Sequence, residues 1–159
     1  MCMKMTRILF ICHGNICRST MAEFVMKHLV HQEGLDDYFD IASAATSREA
    51  LGEDIHYGTK QKLRQMNIPF QSRSAVQVTL ADCRAYNLLI VMDYANVRNL
   101  ERVVGTTFRA KTHLLLEYTV PSGCEVPPIA DPWYTGNFDE TYADVDKGCR
   151  ALLKYLAMQ

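Results

Sequence analysis

The sequence of 159 residues has no apolar run long enough to span a membrane. Its longest runs are the size of a β-strand, as at residues 88–92, and the run at residues 8–12 is too short for the hydrophobic region of a signal peptide. An excess of one charge is also missing, since 17 Lys and Arg face 18 Asp and Glu. These absences predict a cytoplasmic protein with no membrane attachment and no nucleic-acid partner.

Metal-binding cysteine patterns are missing too. The six cysteines form no C-x-x-C pair and no Cys/His cluster at zinc spacing, so we expect no metal site and no cofactor. Without an export signal they are expected to be thiols rather than a disulfide framework. No repeat, low-complexity tract or linker divides the chain, and its length suits one domain, so we predict a single domain over residues 1–159.

Strand and helix patterns alternate along the chain. Short apolar runs predict strands at residues 7–11, 39–42, 88–92 and 112–116. Helical periodicity and capping signals predict helices from the segment after residue 12 up to Gly34, at 59–66, from 79 onward, at 94–104 and at about 139–157, with an irregular segment at 118–138. This order predicts an α/β fold, a parallel sheet with helices on both faces.

The segment 12–19, C-H-G-N-I-C-R-S, joins the first predicted strand to the first predicted helix. Such a connection points several backbone N–H groups into one concavity at the positive end of the helix dipole. Gly14 and Asn15 tolerate the left-handed backbone angles that a nest of amides requires. Arg18 adds a planar fork of donors that matches two phosphate oxygens. The residues expected to bind phosphate with Arg18 are His13, Gly14, Asn15, Ile16, Cys17 and Ser19.

Cys12 lies at the base of this predicted phosphate loop. The positive field there favours its thiolate form, and the Ser19 hydroxyl can donate a hydrogen bond to the sulfur. A thiolate beneath a bound phosphoryl group can attack phosphorus in line and form phosphocysteine. Cys17 is a candidate redox partner that would trap oxidised Cys12 as a disulfide. The alternative is that Cys12 and Cys17 are small buried residues beside a helix start.

The string C-H-G-N-I-C-R-S followed by T-M-A-E resembles the signature of the low-molecular-weight protein tyrosine phosphatases. The resemblance covers nearly the whole chain. The segment S-A-A-T-S at 43–47 is similar to the family's segment after its second strand, M-D-Y-A-N at 92–96 to its M-D-x-x-N, and D-P-W-Y at 131–134 to its acid loop, D-P-Y-Y. The resemblance implies a four-stranded parallel sheet, a phosphocysteine intermediate and no metal.

Asp131 is the carboxylate that we expect to act as general acid and base. Tyrosine has a pKa of about 10, so its phenolate needs a proton to leave at neutral pH. Trp133 and Tyr134 follow Asp131 and can flank an aromatic substrate. Spacing alone also allows an ordinary Asp-Pro turn, whereas the resemblance favours the acid role.

Two positions depart from the family pattern. Glu49 stands where the family often has an aromatic residue that walls the pocket, so we expect less stacking area and some repulsion of a dianion there. The family's H-x-A-R, a support of the loop, reads R-S-A-V at 73–76. Ile16 is typical of the tyrosine phosphatases, whereas the branch that acts on phosphoarginine tends to carry Thr at this position.

The residues leave alternatives to a tyrosine phosphatase open. A protein-arginine phosphatase has the same scaffold. An arsenate reductase shares the loop but needs two further cysteines a short helix apart, and Cys83 is followed by none until Cys124. A non-catalytic phosphate-binding module is favoured by Glu49 and disfavoured by the intact nucleophile, arginine and acid. We predict phosphotyrosine hydrolysis, with tyrosine-phosphorylated proteins or peptides as partners, by a monomer or alternatively a weak dimer.

Overall fold

The computed structural model of the protein describes residues 4–159. Four parallel strands form one sheet in the order β2-β1-β3-β4, namely β1 (Thr6–Cys12), β2 (Phe39–Ala45), β3 (Leu88–Val91) and β4 (Thr112–Leu114). The helices are α1 (Arg18–Gln32), α2 (Tyr57–Gln65), α3 (Leu80–Ala85), α4 (Tyr94–Val104), α5 (Pro132–Thr135) and α6 (Phe138–Ala157). The predicted α/β class is confirmed.

The side chains of β1 alternate between two hydrophobic cores. Ile8 and Phe10 are fully buried in a core that includes residues of α1 and α6. Leu9 and Ile11 are buried on the other face, in a core that includes residues of α3 and α4. Because helices cover both faces, residues 8–11 of β1 and all of β3 are apolar, as is usual for strands at the centre of a parallel sheet. No helix within residues 4–159 is long and apolar enough to cross a membrane.

Some predicted boundaries are wrong. The fourth strand ends at Leu114, because the chain continues as a 3₁₀-helix, Leu115–Thr119, and the Glu117 carboxylate accepts a hydrogen bond from the Leu114 N–H at 3.1 Å. The helix predicted at 59–66 spans Tyr57–Gln65, and Met66 after it is 40% exposed, because Asn67 turns the chain with a φ of 57°. The predicted irregular segment 118–138 contains the one-turn helix α5.

The strand order places the segment after β1 at the functional edge of the sheet. The chain passes from β1 to β2 on one side and returns to β3 on the other, and ligands of such sheets bind beyond the carboxyl ends of the strands at this switch point. The end of β2 is tied to the end of β1 there, since the Thr46 N–H donates to the Cys12 carbonyl at 2.9 Å. Asp93, just after β3, meets the same edge.

Candidate active site

The phosphate loop between β1 and α1 contains one left-handed residue, Asn15, with a φ of 59°. Gly14, the other residue of the loop that tolerates such angles, is not among the described residues with positive φ. A Cβ added at Gly14 would lie 3.8 Å from Ala50 and Ile16, which is ordinary contact. The turn of the loop therefore depends on Asn15, whose side chain is also buried beneath it.

Cys12 is 3% exposed at the end of β1, and its Sγ lies 3.1 Å from the Ser19 Oγ. The Asn15 amide donates to the same Ser19 oxygen at 2.9 Å. Because Asn15 occupies a lone pair of that hydroxyl, the Ser19 proton is free to point at the sulfur. The Ser19 hydroxyl is therefore placed so that it can donate to the sulfur when Cys12 is a thiolate.

Arg73 holds Asn15 in place from below. Its Nη2 donates to the Asn15 Oδ1 at 2.7 Å and its Nη1 to the Ser43 Oγ at 2.6 Å. The Val76 N–H also donates to the Asn15 Oδ1, at 3.2 Å. In the sequence Arg73 was only a departure from the family's H-x-A-R. In the structure Arg73 supports the loop itself, through its hydrogen bonds to Asn15 and Ser43.

Arg18 begins α1 and is 3% exposed. Its Nη1 donates to the Asp93 carboxylate at 2.6 Å and to the Ile129 carbonyl at 2.9 Å, and its Nη2 lies 3.4 Å from the Asp131 carboxylate. Its Nε is buried and has no hydrogen-bond partner among residues 4–159. Burial lowers the pKa of Arg18, but the negative charges of Cys12, Asp93 and Asp131 outweigh it and raise that pKa, so the guanidinium stays charged.

The arrangement leaves one edge of the Arg18 guanidinium available. Asp93 and Ile129 occupy Nη1 and fix the plane of the group, while the buried Nε has no protein partner. Nε and Nη2 together form a fork that fits two oxygens of one phosphate. Asp93, which the sequence offered only as part of M-D-x-x-N, also caps α4 by accepting from the Asn96 N–H at 2.8 Å.

Asp131 is the N-cap of α5. Its Oδ1 accepts from the Trp133 N–H at 3.1 Å, and its Oδ2 faces Arg18. Pro132 occupies the first helical position, where its missing N–H costs nothing, so the Asp-Pro pair begins a helix. The Asp131 side chain is 21% exposed. One oxygen is thus held by the backbone and the other faces the pocket.

A pocket of about 230 Å³ opens above the phosphate loop. It is lined by nine predicted site residues, Cys12, His13, Gly14, Ile16, Cys17, Glu49, Asp131, Trp133 and Tyr134, together with Ala50 and Glu53. The other three, Asn15, Arg18 and Ser19, are buried and contribute through the contacts described above. The structure thus brings all predicted site residues to one place. Sequence reasoning missed Glu53, which no motif marks.

Glu49 lies at the rim, with its side chain 74% exposed. Its Oε2 is 2.8 Å from the His13 Nε2, so the carboxylate shares a hydrogen bond with a residue of the phosphate loop. A protonated His13 would make this an ion pair and reduce the repulsion of a dianion that the sequence predicted. On this side of the pocket, where the family often has an aromatic ring, the wall consists of the hydrogen-bonded side chains of Glu49 and His13.

Cys17 is 4% exposed and lines the same pocket as Cys12. Burial, followed by the negative charge of Cys12, raises the pKa of the Cys17 thiol to about 12. Cys17 is therefore a thiol at neutral pH. No disulfide links the described cysteines, and Cys2 lies outside the described residues.

His113, Cys83 and Cys149 lie outside the active-site pocket. Among residues 4–159, no group of three or more His, Cys, Asp or Glu side chains is placed to hold a metal ion. His113, which the sequence placed in a strand, lies in β4 and shares a hydrogen bond with Glu117 at 2.9 Å, away from the pocket. Cys83 and Cys149 are buried in the two cores.

Comparison with known proteins agrees with this geometry. A family model described as low molecular weight phosphotyrosine protein phosphatase matches residues 7–159. The chain is similar to the low molecular weight protein-tyrosine-phosphatase YfkJ of Bacillus subtilis, with 36% identity covering 94% of each chain. The crystal structure of YfkJ superposes with a TM-score of 0.91 and 33% identity, covering 98% of this chain and 96% of that one.

Two further solved structures are similar. The low molecular weight protein tyrosine phosphatase SP-PTP of Streptococcus pyogenes has a TM-score of 0.84 and 38% identity, covering 95% of this chain and 93% of that one. DARP, a Drosophila arginine phosphatase, has a TM-score of 0.81 and 26% identity, covering 93% and 96%. With a family model that covers nearly the whole sequence, this chain belongs to the low molecular weight phosphotyrosine protein phosphatase family of phosphoric monoester hydrolases.

Proposed function

We propose that the protein hydrolyses phosphotyrosine in proteins through a covalent phosphocysteine on Cys12. The observation that carries the proposal is that Cys12 lines the pocket in the same loop as Arg18, whose buried Nε has no partner among residues 4–159 and whose Nη2 lies 3.4 Å from Asp131. Relatives named as tyrosine phosphatases support the same reaction. The cytoplasmic location and the tyrosine-phosphorylated protein partners remain predictions.

In the first step the Cys12 thiolate attacks phosphorus in line. The S–P bond forms while the bond between phosphorus and the phenolic oxygen breaks. The loop amides and the Nε and Nη2 groups of Arg18 stabilise the equatorial oxygens of the transition state. Asp131 gives its proton to the phenolic oxygen, so tyrosine leaves as the neutral phenol.

In the second step water hydrolyses the phosphocysteine. The Asp131 carboxylate, left ionised by the first step, takes a proton from the water as its oxygen attacks phosphorus. The S–P bond breaks, the sulfur leaves as a thiolate and inorganic phosphate is released. Ser19 stabilises that thiolate by donating a hydrogen bond to it, because the Asn15 amide already donates to the Ser19 oxygen from the other side.

Protein-arginine phosphatase is the second candidate, favoured by the similarity to the Drosophila arginine phosphatase. Ile16 argues against it. Its branched side chain lines the pocket, narrows the mouth and offers no hydrogen bond to a guanidinium. A flat phenyl ring fits better, between the exposed Trp133 and Tyr134. At the rim, Glu49 and Glu53 favour Lys or Arg beside the phosphotyrosine by a modest, salt-sensitive amount.

The ratio of kcat/KM for phosphotyrosine and phosphoarginine tests this choice. We expect phosphotyrosine to be the better substrate of the wild type, and Ile16→Thr to move the ratio toward phosphoarginine by about tenfold, since Thr adds a hydrogen-bonding group and removes apolar surface. Ile16→Val keeps a branched apolar side chain and should leave the ratio unchanged. A wild-type preference for phosphoarginine would overturn the substrate assignment.

Arsenate reduction and mere phosphate binding have less support. Cys83 lies on α3 and is buried in the core, and Cys124 is exposed outside the helices and strands, so the described cysteines offer no relay pair a short helix apart. A non-catalytic module does not require a carboxylate at the mouth of the pocket, and Asp131 is held there by Trp133 and Arg18.

Cys17 is the proposed redox partner of Cys12. Its pKa is raised in part by the charge of the Cys12 thiolate, and that charge disappears when Cys12 is oxidised to the neutral sulfenic acid. Cys17 can then lose its proton more easily and attack the Cys12 sulfur. The S–S bond forms, the S–O bond breaks, and the departing hydroxide takes up the proton as water.

Peroxide treatment tests the redox pair. We expect a Cys12–Cys17 disulfide by peptide mass spectrometry and full recovery of activity after dithiol. Cys17→Ser should instead accumulate Cys12 sulfinic acid, and its activity should not return. Wild-type protein that yields Cys12 sulfinic acid and no disulfide would refute the pairing.

A further inference from the structure

A second groove, of about 530 Å³, lies beside the active-site pocket. One side is α2 and the residue before it, and the other is the chain from Pro132 to Asp139, which follows the proposed acid. We call it the α2 groove. Trp133 lines both the groove and the active-site pocket, so the two share one wall. The groove therefore begins beside the rim of the pocket that would hold the substrate ring.

The floor of the α2 groove is a stack of rings. His56 stacks on Tyr57 with centroids 4.6 Å apart and on Phe138 at 5.2 Å, and meets the edge of Trp133 at 5.6 Å. The backbone N–H of His56 donates to the Ile16 carbonyl at 2.9 Å, and this bond connects the floor of the groove to the phosphate loop. The groove therefore contacts the active site directly, and a backbone hydrogen bond fixes its position relative to the phosphate loop.

Exposed aromatic side chains surround the junction of groove and pocket. Tyr57 is 74% exposed, Trp133 60% and Tyr134 81%. Single exposed hydrophobic residues are common, but aromatic side chains clustered at a concave surface are typical of interaction sites. An occupant that crosses Trp133 could contact all three.

The charges in the α2 groove compensate each other. The Lys62 Nζ donates to the Asp139 carboxylate at 2.8 Å, so neither group favours a charged occupant. Gln61 is exposed beside them and offers an amide donor and acceptor to a peptide backbone. On the pocket's own rim, by contrast, are the carboxylates of Glu49 and Glu53. The lining of the groove is thus largely polar but carries no unpaired Lys or Asp charge. Its apolar contact surface is the exposed aromatic rings at the junction with the pocket, which suit an uncharged segment.

We propose that the α2 groove binds the polypeptide on one side of the substrate phosphotyrosine and selects apolar side chains there. This inference rests on the proposed function, because the phosphotyrosine in the pocket anchors the chain. A polypeptide that leaves the pocket over Trp133 enters the groove without a break. Its apolar side chains then cover the exposed ring of Tyr57. This contact buries apolar area, and it costs little conformational entropy because the tyrosine side chain has few rotatable bonds.

Phosphotyrosine peptides with Leu or Gly at the positions flanking the phosphotyrosine test the proposal. We expect Leu on one side to raise kcat/KM by about threefold to tenfold over Gly, and Tyr57→Ala to remove that preference. Tyr57→Phe keeps the ring and should retain it. Turnover of p-nitrophenyl phosphate, which has no flanking chain, should be the same in all three proteins and tests the proposed function separately.

Tyr155→Ala is the matched control. Tyr155 is a half-exposed tyrosine on α6 that lines neither the active-site pocket nor the α2 groove. It should keep the wild-type preference for Leu. The proposal is overturned if the wild type does not distinguish Leu from Gly on either side, if Tyr57→Ala keeps the preference, or if Tyr155→Ala loses it equally.

Discussion

Cys12→Ser is expected to abolish phosphatase turnover, by about 10⁴-fold or more, while phosphate still binds. The hydroxyl of serine is a far weaker nucleophile than a thiolate at neutral pH. The phosphate site itself survives, because the loop is shaped by Asn15 and Arg73 and its anion-binding fork belongs to Arg18. Steady-state kinetics with phosphotyrosine and calorimetric titration with inorganic phosphate measure the two effects separately.

Two further variants make this result specific. Cys124→Ser changes an exposed cysteine outside the pocket and should keep wild-type turnover. Arg18→Lys should lose both turnover and phosphate affinity, because an ammonium keeps the charge but cannot replace the fork at Nε and Nη2. If purified Cys12→Ser retains appreciable turnover, the phosphocysteine mechanism must be abandoned.

The parts of the fold that could be predicted from the sequence are those specified by local patterns. Residues 8–11 of β1 and all of β3 are apolar because helices cover both faces of the sheet, so they stand out as continuous apolar runs. The helix Tyr94–Val104 was predicted with its observed bounds, and the capping box of Thr79 and Asp82 begins α3 as expected. In both cases the signal lies within a few consecutive residues.

Contacts between distant segments could not be predicted in this way. Arg73 and Asn15 are 58 residues apart, and Arg18 and Asp93 are 75 apart. Arg18 and Asp93 meet because the sheet order brings the ends of β1 and β3 to one edge. Arg73 reaches Asn15 because the segment after α2 pairs with the end of β2, where Gln77 bridges to Ala45. Nothing in the sequence next to residues 73 and 93 shows that their side chains bond to the loop. The resemblance identified the motifs that contain them, but it did not show that Arg73 binds Asn15 and Asp93 binds Arg18.

Glu49 shows the same limit at the rim. The resemblance to the family predicted that Glu49 lies near the pocket. Its hydrogen bond to His13 could not be predicted, because it depends on the conformation of an exposed side chain. Gly14 is the opposite case, since the residue type suggested a left-handed turn that Asn15 alone provides. Residue type limits the backbone angles that are possible, and the tertiary contacts of Asn15 select among them.

Asp131→Asn is expected to lower kcat for phosphotyrosine by about 10²–10⁴, the contribution of a well-placed general acid. The fold should tolerate the change, because Asn is as good an N-cap as Asp and its side-chain oxygen can accept the Trp133 N–H that now bonds to Asp131. The loss would then reflect the missing proton rather than a disordered loop. Thermal unfolding of the variant checks this directly.

The dependence on the leaving group identifies the role of Asp131. Aryl phosphates with acidic phenols leave without protonation, so the loss in Asp131→Asn should shrink as the phenol becomes more acidic, when measured as the rate of phenol release in single turnovers. Asp37→Asn, an exposed carboxylate before β2 and outside the pocket, should match the wild type throughout. A loss of the same size for every phenol would mean that another group protonates the phenol. Asp131 would then contribute by positioning Arg18, whose Nη2 lies 3.4 Å from its carboxylate.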